Sequence, residues 1–175
     1  SIADIAAGTQ AHAAILAALL QRANTGNGSN IEISMLEAMV EWMGFPLNYA
    51  YAGAPPPARS GPDHASIYPY GAFQSSDHRV IMLGLQNERE WDVFCRFVLE
   101  QPSLIHDPRY QNSDLRSQNR DHLRELIQSL FSLLTAEQII EKLDGAQIAY
   151  ANVNNMEDIW NHPQLKALNR IIPTQ

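Results

Sequence analysis

Residues 53–66, GAPPPARSGPDHAS, contain three consecutive prolines, Pro55 to Pro57. Proline has no backbone donor and a fixed φ, so neither a helix nor a central strand runs through such a run. Three in a row stiffen the chain towards a polyproline form. The stretch is therefore expected to be a linker between two parts of different pattern, residues 1–52 and 67–175.

The first part is read as helices. From His12 onward Ile15, Leu16, Leu19 and Leu20 recur at helical spacing, with Asp4 just ahead of the helix and Gly8 near its first turn. Asn24 to Gly28 supply the residues that tolerate a left-handed stop. Ile31 and Ile33 alternate with polar neighbours, which predicts a short strand. Ser34 and Glu37 have the spacing of a capping box, opening a helix with Met35, Leu36, Met39, Val40 and Met43 on one stripe. Pro46 should kink or end it, with Leu47 to Tyr51 resuming.

In the second part, 68–74 and 80–85 read as strands of a hairpin turning through 75–78. Asn87 and Glu90 then cap a helix that places Trp91, Phe94, Cys95 and Val98 on one face. Residues 102–118 read as a polar loop. A helix follows with Leu123, Leu126, Ile127, Leu130 and Phe131 inward. Thr135 and Gln138 cap a further helix bearing Ile139, Ile140 and Leu143, which Gly145 is expected to close. Ile148 to Val153 suggest a strand, and Asn155 a short helix towards Trp160. Pro163 suits a first helical position. Ile171 and Ile172 suggest a last strand. The fold class expected is α+β, mainly helical with a small antiparallel sheet. Trp91, Phe94, Leu126, Leu130 and Ile139 should lie in its core.

A chain of 175 residues can bury a core without disulfides or a metal. The single cysteine, Cys95, has no intramolecular partner, which suits a reducing compartment such as the cytoplasm. With a net charge of −7 and no basic cluster, the chain lacks the positive face that nucleic acid requires. It has no run of eighteen apolar residues, so a membrane is not expected. The histidines are not paired at ligand spacing, so no metal site is expected.

The order of short motifs is informative. It begins with AD-x-x-x-G (Ala3 to Gly8), an alanine-rich helix ending AAL-x-x-R, and TG-x-G-x-x-I-x-x-S-M-x-EA (Thr25 to Ala38). It continues with H-x-x-IYPYG-x-F (His64 to Phe73), NEREW-x-x-FC (Asn87 to Cys95), DPRY (Asp107 to Tyr110) and HPQL (His162 to Leu165). Together these resemble the family III CoA-transferases, whose relatives include formyl-CoA transferase, carnitine CoA-transferase and the alpha-methylacyl-CoA racemases. The resemblance runs along essentially the whole chain. It implies that family members are more than twice this long, with a dinucleotide-fold-like segment ahead of the position of Asp4. Residues 1–52 would then be the aspartate helix, glycine turn and connecting helix of a large domain. Residues 67–175 would be the small α+β domain.

Taken by itself, an aspartate before a helix is an N-terminal cap. The resemblance implies instead that Asp4 is the nucleophile. Its carboxylate would attack an acyl-CoA thioester to give a mixed anhydride and CoA thiolate. The thiolate would return to form an aspartyl-CoA thioester, from which a second carboxylic acid takes the CoA. A helix N-terminus would favour the ionised form, and Ala6, Ala7 and Gly8 would leave room for the thioester. Coenzyme A is then a substrate, with no tightly bound cofactor, and the CoA phosphates would need positive groups from elsewhere.

Gly84 to Asn87 correspond to a mobile loop over the active site in transferases, although one glycine is few for a hinge. Asn87 stands where the racemase branch carries a second acid, and an amide cannot do general acid–base work near neutral pH. Glu88 is adjacent, so a shift of one residue would restore an acid. By itself Asn87 also reads as a helix cap. Gln86 and Asn87 are candidate substrate contacts. His64, Tyr68 and Tyr70 either line the pocket or pack at a strand entrance. Glu37 and Glu41 form a solvated helix face, and Cys95 is a small core residue with nothing to activate it. Arg59 or Arg109 could hold a carboxylate, although Arg109 in DPRY suits fixing its own loop.

The function expected is CoA transfer to a small carboxylic, especially dicarboxylic, acid by part of a family III chain. The substrate choice comes from EWMGFPLNYAYAG and NEREW. Interlocked homodimers or higher oligomers are implied. The alternatives are a truncated, non-catalytic oligomerisation module and a racemase-like relative.

Overall fold

The computed structural model describes residues 1–170 and Ile172. The chain divides into two units, Ser1–Ala58 and Arg59–Gln175, with the break inside the proline-rich stretch.

In the first unit α1 (Ile2–Thr25) starts two residues before Asp4. Asp4 therefore sits in the first turn rather than ahead of the helix, because Ile2 and Ala3 offer nothing to break it. Gly26 ends α1 at φ 76°, its N–H donating to the Arg22 carbonyl at 2.8 Å. Residues 27–34 have no regular structure, so the strand expected at Ile31 and Ile33 is absent. A strand needs a neighbour for its backbone groups, and this unit contains no other strand. Ser34 Oγ accepts from the Glu37 N–H at 3.3 Å and opens α2 (Met35–Trp42), so only that half of the box forms. After a break at Met43, α3 (Gly44–Tyr51) carries Pro46 in its first turn, where no donor is needed.

α1 and α2 pack through small residues. Ala6 and Ala38 are buried, and Gln10 Nε2 donates to Glu41 Oε2 at 2.6 Å. Most large apolar side chains of this unit stay outside, with Leu20 70%, Leu36 73% and Tyr51 94% exposed. Contrary to the expectation from sequence, α1 is long and apolar enough to cross a membrane by length and composition alone.

The second unit is built on a three-stranded antiparallel sheet. β1 (Tyr70–Gln74) pairs with β2 (Val80–Gly84), and β2 pairs with β3 (Tyr150–Asn152). α4 (Glu88–Val93) runs into a π-helical turn, Phe94–Val98. The expected polar loop contains a 3-10 turn, Pro102–His106, and α5 (Ser113–Gln118). Its capping residue, Asn112, accepts from the Leu115 N–H at 2.9 Å, and such residues are the same ones that make loops. α6 (Arg120–Phe131), α7 (Ala136–Gly145), α8 (Met156–Asn161) and α9 (Pro163–Ala167) follow. α7 opens with the full Thr135–Gln138 capping box. Gly145 stays helical, and the left-handed residue is Gln147 at φ 55°. Of the last expected strand, Ile171 lies outside the described residues and Ile172 has no regular structure.

The core lies between one face of the sheet and the helices. Phe73, Ile81 and Leu83 meet Phe94, Leu123, Ile127, Phe131, Ile139 and Leu143. Of the five expected core residues, Trp91, Phe94 and Ile139 are buried, and Leu126 and Leu130 are partly buried against them. The outer edge of β1 is occupied by α6 and the preceding chain. The Tyr70 carbonyl accepts from the His64 N–H at 2.9 Å and the Ala72 carbonyl from Arg124 Nη2 at 2.9 Å. The Gln128 amide bonds both the N–H of Gln74, at 3.0 Å, and its carbonyl, at 2.7 Å. No open ladder is left there for another strand to extend.

Candidate functional site

Asp4 lies on α1, exposed, two residues before the buried Ala6 that seats the helix against α2. Among the described residues its carboxylate makes no ion pair and no side-chain hydrogen bond. A Cβ added at Gly8, one turn further on, would meet nothing within 4 Å, so the space beside this face is open.

In the second unit Tyr70 and Gln86 line one groove, while His64 stands against Tyr70 outside that lining. The His64 ring stacks on Tyr70 with centroids 5.2 Å apart. His64 Nδ1 accepts the backbone N–H groups of Ser66, at 3.2 Å, and Ile67, at 3.0 Å. That leaves the proton of the neutral ring on Nε2. The other side of Tyr70 rests on Gly84, where a built Cβ would lie 2.9 Å from Tyr70 Cγ. Tyr70, Met82, Gly84, Gln86, Tyr150 and Ala151 line a shallow groove of about 210 Å³. Its lining is apolar with two phenols, an amide and no charge, which suits an acyl or other neutral group. A carboxylate placed there would need a positive charge from elsewhere.

Tyr68 does not reach this groove. It is buried, its hydroxyl has no hydrogen-bond partner, and burial, partly offset by Arg124, pushes its pKa up to about 12. Asn87 is the cap of α4, its Oδ1 accepting from the Glu90 N–H at 2.9 Å. It lines a separate hollow with Arg89 and Gln147. Glu88, the neighbouring acid, is gripped by Arg116, with Nη1 to Oε2 at 2.8 Å and Nη2 to Oε1 at 2.9 Å. These bonds outweigh desolvation and hold the Glu88 carboxyl below its ordinary range. It is thus ionised at neutral pH and unsuited to deliver a proton there.

Two further expectations concern reactivity. Cys95 is buried, and burial pushes its thiol up to about 12, so it is an inert core residue. Arg109 fixes its own loop through Asp107, with Nε to Oδ1 at 3.0 Å and Nη2 to Oδ2 at 2.7 Å.

Sequence reasoning passed over Arg116, Arg124 and Asp63. Arg116 Nε and Nη1 also donate to the carbonyls of Tyr68 and Tyr110, at 3.3 and 3.1 Å. Asp63 pairs with Arg124 at 2.9 Å, and its carboxylate occupies the space above Gly71. Glycines 71 and 84 inside strands were the available signal, since a strand glycine marks a close approach.

Residues 1–175 match the family described as CoA-transferase family III. The chain is 31% identical over 165 residues to the mouse succinyl-CoA:glutarate CoA-transferase, covering 94% of this chain and 37% of that protein. It is 28% identical over 151 residues to the succinyl-CoA:mesaconate CoA-transferase of Haloarcula hispanica, covering 86% of this chain and 37% of that protein. A crystallised CAIB/BAIF family protein from Brucella suis superposes with a TM-score of 0.79 at 26% identity, over 95% of this chain and 43% of that one. The chain thus spans little more than a third of the curated relatives it matches.

Proposed function

Because this chain belongs to CoA-transferase family III, we propose that it contributes the attacking carboxylate and a small substrate-facing domain to the transfer of CoA from an acyl-CoA onto a small dicarboxylic acid. The observation that carries this is the family match along all of residues 1–175, with an exposed, unpaired Asp4 in its AD-x-x-x-G context. The dicarboxylic acceptor is suggested by relatives named for glutarate and mesaconate.

In this scheme the Asp4 carboxylate attacks the thioester carbonyl and expels CoA thiolate. The thiolate attacks the aspartyl carbonyl of the anhydride, releasing the donor acid and leaving aspartyl-CoA. The acceptor carboxylate repeats the sequence in reverse and Asp4 is regenerated. Negative charge passes between carboxylate and thiolate, and no redox partner is needed. Tyr70 and Gln86 are assigned to the substrate-facing wall, with His64 supporting the Tyr70 ring. Asn87 serves as a cap, and Tyr68 is packed beneath. The racemase alternative is disfavoured because Asn87 is an amide and Glu88 is locked to Arg116.

The exposed apolar side chains of α1 to α3 support an assembly component, with an identical chain covering them in a homodimer. A cytoplasmic setting, with free CoA thioesters as substrates, belongs to the same proposal.

The test is incubation of the protein encoded by the complete open reading frame with a panel of acyl-CoA thioesters, followed by intact mass measurement. A CoA or acyl adduct that disappears in Asp4→Ala is expected. An undiminished adduct and undiminished transfer in Asp4→Ala would overturn the mechanism. Positioning matters as much as nucleophilicity, since the thioester must lie within about 3–3.5 Å of the attacking oxygen. The 175-residue chain on its own is therefore expected to transfer little, as a non-catalytic module would.

A further inference from the structure

We propose that Glu90 is a positioning residue that holds Gly84 to Asn87 as a fixed wall of the groove, in place of a hinged lid. Both oxygens of its carboxylate are committed to this segment. Oε2 accepts the Gln86 backbone N–H at 2.8 Å, and Oε1 accepts Asn87 Nδ2 at 2.7 Å. The Glu90 N–H returns a bond to Asn87 Oδ1 at 2.9 Å, so acid and amide orient one another. Hydrogen bonds to an ionised carboxylate are stronger than neutral ones, and here two of them meet on consecutive residues.

The rest of the segment is pinned as well. The Leu85 N–H donates to the Pro69 carbonyl at 2.9 Å, and the Leu85 side chain is buried. Gly84, its one glycine, is not free to act as a hinge. It does not adopt a positive φ, and its missing Cβ leaves the space that the Tyr70 ring fills. Tyr70 is held in turn from the far side by His64. The glycine therefore serves close packing. Gln86, which lines the groove together with Gly84, leaves the sheet between two fixed points, Leu85 and Glu90. Its backbone is thereby held in one place beside the groove.

The bearing of this wall on catalysis rests on the transferase assignment above, but its test does not. Residue-resolved amide hydrogen exchange would be measured by NMR on the 175-residue chain, as wild type, Glu90→Ala and Glu90→Gln. The Gln86 amide should be protected in the wild type and exchange at least about tenfold faster in Glu90→Ala, the scale of one lost charge-assisted bond. Glu90→Gln keeps one acceptor oxygen and should fall between. Phe73 and Ile81, opposite each other in the hairpin, should keep their protection. Free exchange of Gln86 in the wild type, or equal protection in Glu90→Ala, would overturn the proposal. So would a rise shared equally by Gln86, Phe73 and Ile81, which would make Glu90 a general stabilising residue. If the complete protein transferred no CoA while the local effect at Gln86 remained, the wall would stand and the transferase assignment alone would fall.

Discussion

Arg116 and Glu88 form a two-pronged pair in which the guanidinium is buried, its side chain 2% exposed, while the carboxylate reaches it from the surface, 56% exposed. Arg116 also lies 5.0 Å over the Trp91 ring and bonds two backbone carbonyls. It thereby ties the entrance of β1, the first turn of α4 and the DPRY loop to one side chain. Replacing it removes these ties and leaves two carbonyls and an indole face without their partner. Arg116→Met should lower the stability of the second unit by roughly 2–3 kcal/mol, measured by urea unfolding. Glu88→Gln should cost less, because its own end of the pair is solvated. Equal stability of Arg116→Met and wild type would show that the pair only decorates the fold.

Acid should weaken this unit in a defined window. The side chain of Arg109, helped by its backbone N–H, holds the Asp107 carboxyl down from 3.8 to about 2. A carboxylate depressed in the folded state stabilises it above the ordinary value, and that contribution is lost as pH falls through the folded value. The loss therefore falls between about pH 4 and pH 2. Glu88 is depressed by Arg116 and acts in the same direction. The urea midpoint should drop across this range, and in Asp107→Asn it should start lower and drop less. An acid limb unchanged in Asp107→Asn would exclude this source.

Gly71 and Gly84 should both resist alanine, for different reasons. A Cβ at Gly84 would lie 2.9–3.0 Å from three Tyr70 ring atoms, and one at Gly71 would lie 1.9 Å from Asp63 Oδ1. Either neighbour must move, with an overpacking cost of roughly 1–3 kcal/mol. Gly71→Ala should also separate Asp63 from Arg124, so its loss should shrink in an Asp63→Ala background. Gly8→Ala, at an open helical position, should be neutral or mildly stabilising. Thermal unfolding of the variants distinguishes these cases.

The first unit should associate. Leu20 and Leu36 are 70% and 73% exposed, on helices whose buried residues are two alanines. Light scattering at tens of micromolar, roughly the range where weak dimers persist, should give a mass above that of one chain. Leu20→Glu with Leu36→Glu should return it to the monomer. A wild-type monomer under those conditions would rule out self-association through this unit.

Most elements whose determinants lie within four residues were legible from sequence, α5 with its Asn112 cap being an exception. Ser34 before Glu37, Asn87 before Glu90, Thr135 before Gln138 and Asn155 before Asp158 each open a helix by a bond to a backbone N–H three residues on. Gly26 ends α1 because it can take a left-handed φ. The hairpin follows from two alternating runs a turn apart. Asp4, as a residue of interest, came from the order of motifs and not from its local physics, which describe only a carboxylate near the start of a helix.

The remainder needed the folded chain. Whether Ile31 and Ile33 form a strand depends on a neighbouring strand, because half of a ladder's hydrogen bonds belong to the partner. Why Gly84 is glycine depends on where the Tyr70 ring comes to rest. Arg116 to Glu88 spans 28 residues, Gln128 to Gln74 spans 54 and Arg124 to Asp63 spans 61. Sequence alone determined the periodicities, caps and motif order, since these act between residues that the covalent chain already holds close. Tertiary structure alone decided which charge each arginine meets, which edge of the sheet is covered and which of Tyr68 and Tyr70 faces the groove. Those choices are made only when segments far apart in sequence exclude water from between them.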